Sequence, residues 1–293
     1  TRSGGAAWDI FEDLQAAGVA IDTIAEGRVE ELAVGLKGTM NALFLKELGR
    51  KTRRGLDGVA RDGRHAGGKV YGYRIRREFT QAGEAIRGLR EIDEAEAEVV
   101  REIFRRYAAG EAPRAIAGDL NLRGVPSPRG GLWNASTIYG NAARGNGIIH
   151  NALYRGEIVW GRQTWVKDRR TGKRRARTAD TQGQVATAAP HLTIVDEALW
   201  ARVRARHAEV SAASAGGAKP VRTRRPASLL AGLVRCSCGG PMVASGADRR
   251  FICNRRRERG PAACSAGRTA KVSEVEARVL AAIGETGVPR IHF

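Results

Sequence analysis

The sequence predicts an α+β chain of several domains. An opening α/β segment runs into a long helix, a helical middle domain follows, and a small cysteine-tied β module comes last. Three observations carry this. The chain has 293 residues with 42% hydrophobic content, enough for two or three cores at roughly 100–200 residues per domain. Apolar residues recur at helical spacing in several separate segments. All four cysteines, Cys236, Cys238, Cys253 and Cys264, fall in one late stretch.

The opening segment, 1–57, begins with Trp8, Ile10, Phe11 and Leu14 at helical spacing. Gly18 stops that helix, and residues 19–24 read as a buried strand. Residues 30–56 form the long helix. Leu36, Met40, Leu43, Phe44 and Leu48 define one face, while Lys46, Arg50, Lys51, Arg53 and Arg54 make its end cationic. Two readings are open for that end: a core helix with a solvated, dipole-compensating terminus, or a helix that tracks phosphates.

Residues 58–72 are a glycine-rich basic linker with Arg61, Arg64 and Lys69. The middle domain, 73–210, opens with three helices. Asp93 and Glu96 have capping-box spacing, and Val99, Val100, Ile103, Phe104 and Tyr107 follow on one face to Gly110. Pro113 starts the second helix, which Gly124 ends. A turn at 125–131 carries Arg129, and Asn134 then caps a third helix bearing Ser136, Thr137, Asn141 and Arg144. This is the plan of a helix-turn-helix reader, with a plain three-helix bundle as the alternative.

Residues 154–161 read as a glycine-bounded strand. Residues 162–177 are a hairpin tip or flexible arm containing Lys167, Arg169, Arg170, Lys173 and Arg174. A loop is expected over 178–190, and Asp196 caps a helix with Leu199, Trp200 and Val203 inward. A basic linker, 211–228, leads to the cysteine module, 229–284, and a tail, 285–293. Four thiolates held close need a cation and complete a tetrahedral Zn²⁺ shell. A ribbon that keeps buried thiols without metal is the alternative. The five histidines read as structural.

The formal charge is +19 and the pI near 10.8, which favours phosphate backbones over neutral or acidic partners. Residues 1–35 oppose the trend, with seven acids against two bases. No apolar run reaches the ~20 residues of a membrane span, and clustered, sparse cysteines suit a reducing cytosol.

Several pieces, in order, resemble the large serine recombinases of phages and mobile elements. They are Leu36-Lys-Gly-Thr-Met-Asn-Ala-Leu-Phe44 running into Lys51-Thr-Arg-Arg-Gly55, then Gly72-Tyr73, Val125-Pro-Ser127, Trp133-Asn134 to Ile138, Asn151 to Gly156, Leu199-Trp200, Leu229 to Leu233, and the cysteines. Their order and spacing together are specific, although no single piece is. The resemblance implies the remnant of an α/β resolvase-type catalytic domain, a helix-turn-helix-like recombinase domain and a zinc β-ribbon. It implies site-specific recombination, that is integration or excision of mobile DNA, through a serine nucleophile that forms a phosphoserine link. That segment is not expected in this chain, and Arg2 is the one residue matched to a phosphate-stabilising role.

By the same resemblance the long helix forms a dimer contact and then crosses the minor groove. The implied partners are double-stranded DNA of attachment-type sites and further copies of the chain, as a homodimer and as a tetramer in synapsis. The implied place is the bacterial or phage-infected cytoplasm, at the nucleoid. The family usually separates its first two cysteines by two residues, whereas Cys236-Ser-Cys238 has one, a tighter knuckle. A non-catalytic DNA-binding regulator and a basic RNA-binding protein are the competing functions.

Overall fold

The structure, a computed structural model, describes residues 4–24, 27–168, 170–179, 183–215 and 228–285. It has two units, Thr1–Asp62 and Gly63–Phe293.

In the first unit, helix α1 (Gly4–Ala16) ends before Gly18, whose φ of 71° turns the chain. The buried strand expected at 19–24 is not found. Only β1 (Asp22–Thr23) and β2 (Gly27–Arg28) pair, both exposed, and Val19 is 51% exposed. Among the described residues this two-residue ladder has no further sheet to bury it. Helix α2 (Glu31–Arg61) continues past the expected end at 56. The ring of Trp8 lies over Gly35, where a Cβ would sit 3.3 Å from it. The face of Leu36, Met40, Leu43, Phe44 and Leu48 is exposed, so it is no core face among the described residues.

The second unit opens with β3 (Tyr73–Ile75), β4 (Glu78–Phe79), β5 (Ala85–Ile86) and β6 (Arg90–Ile92), paired antiparallel as β3–β6 and β4–β5. Helices α3 (Glu94–Ala108) and α4 (Pro113–Leu122) follow as expected. Asp93 caps α3 by accepting from the N–H of Glu96 at 3.3 Å. The reciprocal half of the capping box is absent. The Glu96 carboxylate instead accepts from the N–H of Gly72 at 2.8 Å, and the Asp93 N–H bonds the Gly72 carbonyl at 3.0 Å. The side chain is therefore spent on fastening the incoming chain to the helix.

Gly72 (φ 88°) has a backbone that strains any other residue, and a Cβ there would stand a tight 3.0 Å from Ile194 Cδ1. Tyr73 and Tyr154 stack beneath it at 5.9 Å, next to Phe104 and Trp200. The Tyr154 hydroxyl donates to the Tyr71 carbonyl at 3.0 Å, which satisfies it in a buried position.

Helix α5 (Ala135–Tyr139) has five residues, and Gly140 (φ 57°) stops it. The third helix expected to reach Arg144 thus stops early, and a loop from 140 to 147 follows that holds one 3-10 turn, Ala142–Arg144, capped by Asn141. Strand β7 (Glu157–Trp160) leads to the hairpin of β8 (Gln163–Lys167) and β9 (Arg174–Thr178). The loop expected over 178–190 contains β10 (Val185–Ala188), which pairs antiparallel with β7. Its alternation is too weakly apolar to show without the partner strand. Helix α6 (Glu197–Ala215) is capped by Asp196, which accepts from the Leu199 N–H at 2.7 Å.

The cysteine module is a three-stranded sheet of β11 (Met242–Ser245), β12 (Arg250–Cys253) and β13 (Ala270–Lys271), with α7 (Asn254–Arg259) and α8 (Val272–Glu285). Leu230, Phe251 and Val272 form its core. Helix α7 packs on α4 so closely that a Cβ on Gly260 would lie 2.7 Å from the Gly118 Cα. No described helix is long and apolar enough to cross a membrane.

Candidate nucleic-acid interface

Beside α5 lies an open polar groove of about 760 Å³. Four local devices shape it. In the turn over 127–131, the Gly130 N–H meets the Ser127 carbonyl at 2.8 Å, and the Ser127 N–H meets that of Gly131 at 3.1 Å. That turn presents Arg129. The first turn of α5 presents Ser136 and Thr137. The loop from 140 to 147 is pinched shut by backbone contact: a Cβ on Gly140 would lie 1.9 Å from the Asn146 carbonyl oxygen. Asn141 and Asn146 face each other across the pinch, and the Asn141 N–H donates to Asn146 Oδ1 at 2.8 Å.

Of the predicted residues, Arg129, Asn134, Ser136, Thr137 and Asn141 line this groove together, and no carboxylate does. Arg144 is exposed on the same loop but does not line it. Asn134 sits at the N-cap position of α5 without capping it. Its Oδ1 accepts from Nε of Arg259 at 2.8 Å, an arginine of the cysteine module that also lines the groove. In the sequence Arg259 stands out only as part of a run of charge. Nothing local signals the link, because the two residues are 125 apart in the chain.

A second basic surface is the β8–β9 hairpin. Lys167 and Arg174 are cross-strand partners, and both are exposed. Like charges opposite each other repel by roughly 0.2–1 kcal/mol, so the pair suits a polyanion better than solvent. Arg170 and Lys173 sit in the turn. Asp168 holds that turn by accepting from the Arg170 N–H at 3.0 Å, and it ion-pairs with Arg175 at 3.0 Å.

In the first unit, Lys46, Arg50, Lys51, Arg53, Arg54 and Arg61 are exposed along α2. At about 1.5 Å per residue, they extend over roughly 23 Å of helix. Lys51 pairs with the Glu47 carboxylate one turn back, at 3.4 Å. Two linker bases have structural partners: Arg64 donates to the Arg87 carbonyl at 3.1 Å, and Lys69 pairs with Glu96 at 3.5 Å. Arg2 and Arg169 lie outside the described residues.

The four cysteines converge. Their sulfurs all lie within 4.8 Å of one another, with Cys236–Cys264 at 3.7 Å and Cys238–Cys253 at 3.6 Å. Zinc at about 2.3 Å from each of four tetrahedral sulfurs requires edges of about 3.8 Å, so the residues fit such an ion. The one-residue knuckle does not spoil the geometry. The backbone N–H of Cys238 lowers the Cys236 thiol to about 6, whereas burial pushes Cys264 up to about 12. One thiol ionises readily while its neighbour resists, and a dication is what lets such a set ionise together.

The chain matches the family model described as Recombinase over residues 94–210, and that described as Recombinase zinc beta ribbon domain over residues 229–284. No curated protein matches it. Among the solved structures that are similar, two share 17% identity with the chain. One is described as the crystal structure of an LSR–DNA complex, with a TM-score of 0.34 and coverage of 80% of this chain and 66% of that one. The other is described by the sequence requirements of the Listeria innocua prophage attP site, with a TM-score of 0.30 and coverage of 75% and 78%. The chain thus spans just under two thirds of the first of these. The two family models together take in more than half of the chain, in the order its sequence implies, and the protein belongs to the recombinases that carry these two domains.

Proposed function

We propose that this chain recognises double-stranded DNA in site-specific recombination, the integration or excision of mobile DNA at attachment-type sites. The observation that carries this is the groove beside α5. Arg129, Ser136, Thr137 and Asn141 converge there with no carboxylate in its lining. Short polar groups and a guanidinium can reach base edges, while a duplex supplies the missing negative charge. Arg144 on the adjoining loop, the β8–β9 hairpin and the basic end of α2 supply phosphate contacts, which position a duplex without reading it.

Cys236, Cys238, Cys253 and Cys264 would hold a structural Zn²⁺, which when bound supplies folding energy to the ribbon. The exposed apolar face of α2 suits a second copy of the chain, consistent with a homodimer that pairs into a tetramer at synapsis. The site of action is the nucleoid, in the cytoplasm. We assign no strand-cleaving step to the described residues. Ser127 and Ser136 line the groove, yet among the described residues neither hydroxyl is hydrogen-bonded to a carboxylate or histidine that would take its proton. The residual role for Arg2 is to stabilise a phosphate for a serine nucleophile.

The test is a mobility-shift titration against duplex DNA and duplex RNA of the same sequence over a salt series. DNA should win, because the deep, narrow major groove of A-form RNA does not admit these side chains. Arg129→Ala and Asn141→Ala should each weaken binding to a selected duplex. Equal affinity for RNA, with both variants unchanged, would overturn the proposal.

A further inference from the structure

We propose that Arg259, a residue of the cysteine module, is a DNA-contacting residue of the groove beside α5, and that Asn121 positions it. This rests on the reading of that groove as the DNA site.

Asn121 is buried inside α4 and uses its whole amide as a clamp. Its Oδ1 accepts from the Trp133 N–H at 2.7 Å, while its Nδ2 donates to the Trp133 carbonyl at 2.9 Å and to the Arg259 carbonyl at 2.7 Å. Trp133 is fully buried and immediately precedes Asn134. The backbone of the groove wall and the backbone of Arg259 are therefore fixed by one side chain. The Arg259 side chain closes the loop by donating from Nε to Asn134 Oδ1.

With Nε committed, the two terminal amino groups of Arg259 remain. They form the planar fork that binds two phosphate oxygens, or O6 and N7 of guanine, in bidentate fashion. No ion pair occupies that fork among the described residues. The adjacent carboxylate, Glu258, pairs with Arg114 at 3.1 Å and with Arg257 at 3.7 Å. Gly118 and Gly260 bring the two backbones close enough for the clamp to reach. Helix α7 is in turn tied to the cysteine cluster, because Cys253 precedes its first residue and Arg256 donates to the Cys264 carbonyl at 2.8 Å. The recombinase domain thus supplies the groove's lining except for Arg259, which the ribbon contributes.

The experiment uses the full chain. A duplex is first selected from a randomised library with the unaltered protein, and affinity for it is then measured by fluorescence anisotropy. Arg259→Gln should weaken binding about tenfold with an unchanged thermal melt, and Arg259→Lys should restore only part of it, since an ammonium lacks the fork. Asn121→Ser should weaken binding in the unaltered background but add nothing to Arg259→Gln, which a merely structural role for Asn121 would not produce. Unaltered binding by Arg259→Gln, while Arg129→Ala weakens it, overturns the inference and leaves the groove standing. If neither substitution weakens binding, the groove reading fails and the inference fails with it.

Discussion

The carboxylate of Glu96 accepts a 2.8 Å hydrogen bond from the backbone N–H of Gly72. One side chain on the first turn of α3 thereby holds the segment that enters β3. Replacing Glu96 by Ala leaves that donor without a partner, at an expected cost of about 1–3 kcal/mol. Urea unfolding of the full chain checks it. The midpoint of the second unit should fall, with little change in DNA affinity once the protein is folded.

The cysteine cluster predicts one Zn²⁺ per chain in protein purified without chelator. Cys253→Ser should abolish metal content, disorder the ribbon and leave α3 and α4 formed. Elemental analysis beside amide exchange measures both. A folded ribbon with no metal would show that the four sulfurs are structural thiols.

For α2, Arg53→Ala together with Arg54→Ala should weaken binding to all duplexes alike. Each phosphate that is no longer neutralised takes about 0.9 from the slope of log affinity against log salt, so the pair should lower it by roughly one to two. A slope equal to that of the unaltered chain would remove this helix from the DNA interface.

On the hairpin, Lys167→Ala relieves the repulsion across from Arg174. The free protein should be unchanged or slightly more stable, by up to about 1 kcal/mol, while DNA binding weakens and its salt slope falls by about one. Opposite signs for stability and binding are the diagnostic result, read by thermal melting and anisotropy on one preparation.

Acid should destabilise the second unit through His150. Burial lowers this imidazole to about 4, helped by the charges of His207 and Arg204, and its Nδ1 lies 3.1 Å from an Arg204 amino group. The unfolded chain takes up the proton near the ordinary value of 6.5, before the folded chain does. The contribution is therefore fully present above about 6.5 and is lost as pH falls towards 4. Thermal melts across that window should drop, and His150→Gln should flatten the drop.

Much of this was legible along the chain because the signals are local. Asp93 before the apolar face of α3, Pro113 at the start of α4 and Asp196 before α6 each act within a few residues. The hairpin and the cysteine cluster were legible for the same reason. The α5 region was not, since Asn134 looks like a cap and is instead recruited by an arginine far along the sequence. Asn121 reads as an ordinary polar position on a helix, and only the docking of α7 gives its amide three hydrogen bonds. Strand β10 was hidden because its pairing with β7 supplies the order that its own composition lacks.

Helix α2 carries two opposed responses to the medium on one rod. From Leu32 to Leu48 it shows apolar side chains to solvent, and from Arg50 to Arg54 it shows four cations in five residues. Added electrolyte screens the cations from one another and from phosphate, yet it leaves the cost of wetting leucine and phenylalanine in place or raises it. On the proposed reading, ionic strength would loosen this helix from a duplex while leaving intact the drive to bury its apolar face. A dilute, low-salt solution would do the reverse: repulsion between chains of formal charge +19 would oppose covering that apolar stretch with a second copy until a polyanion neutralised them.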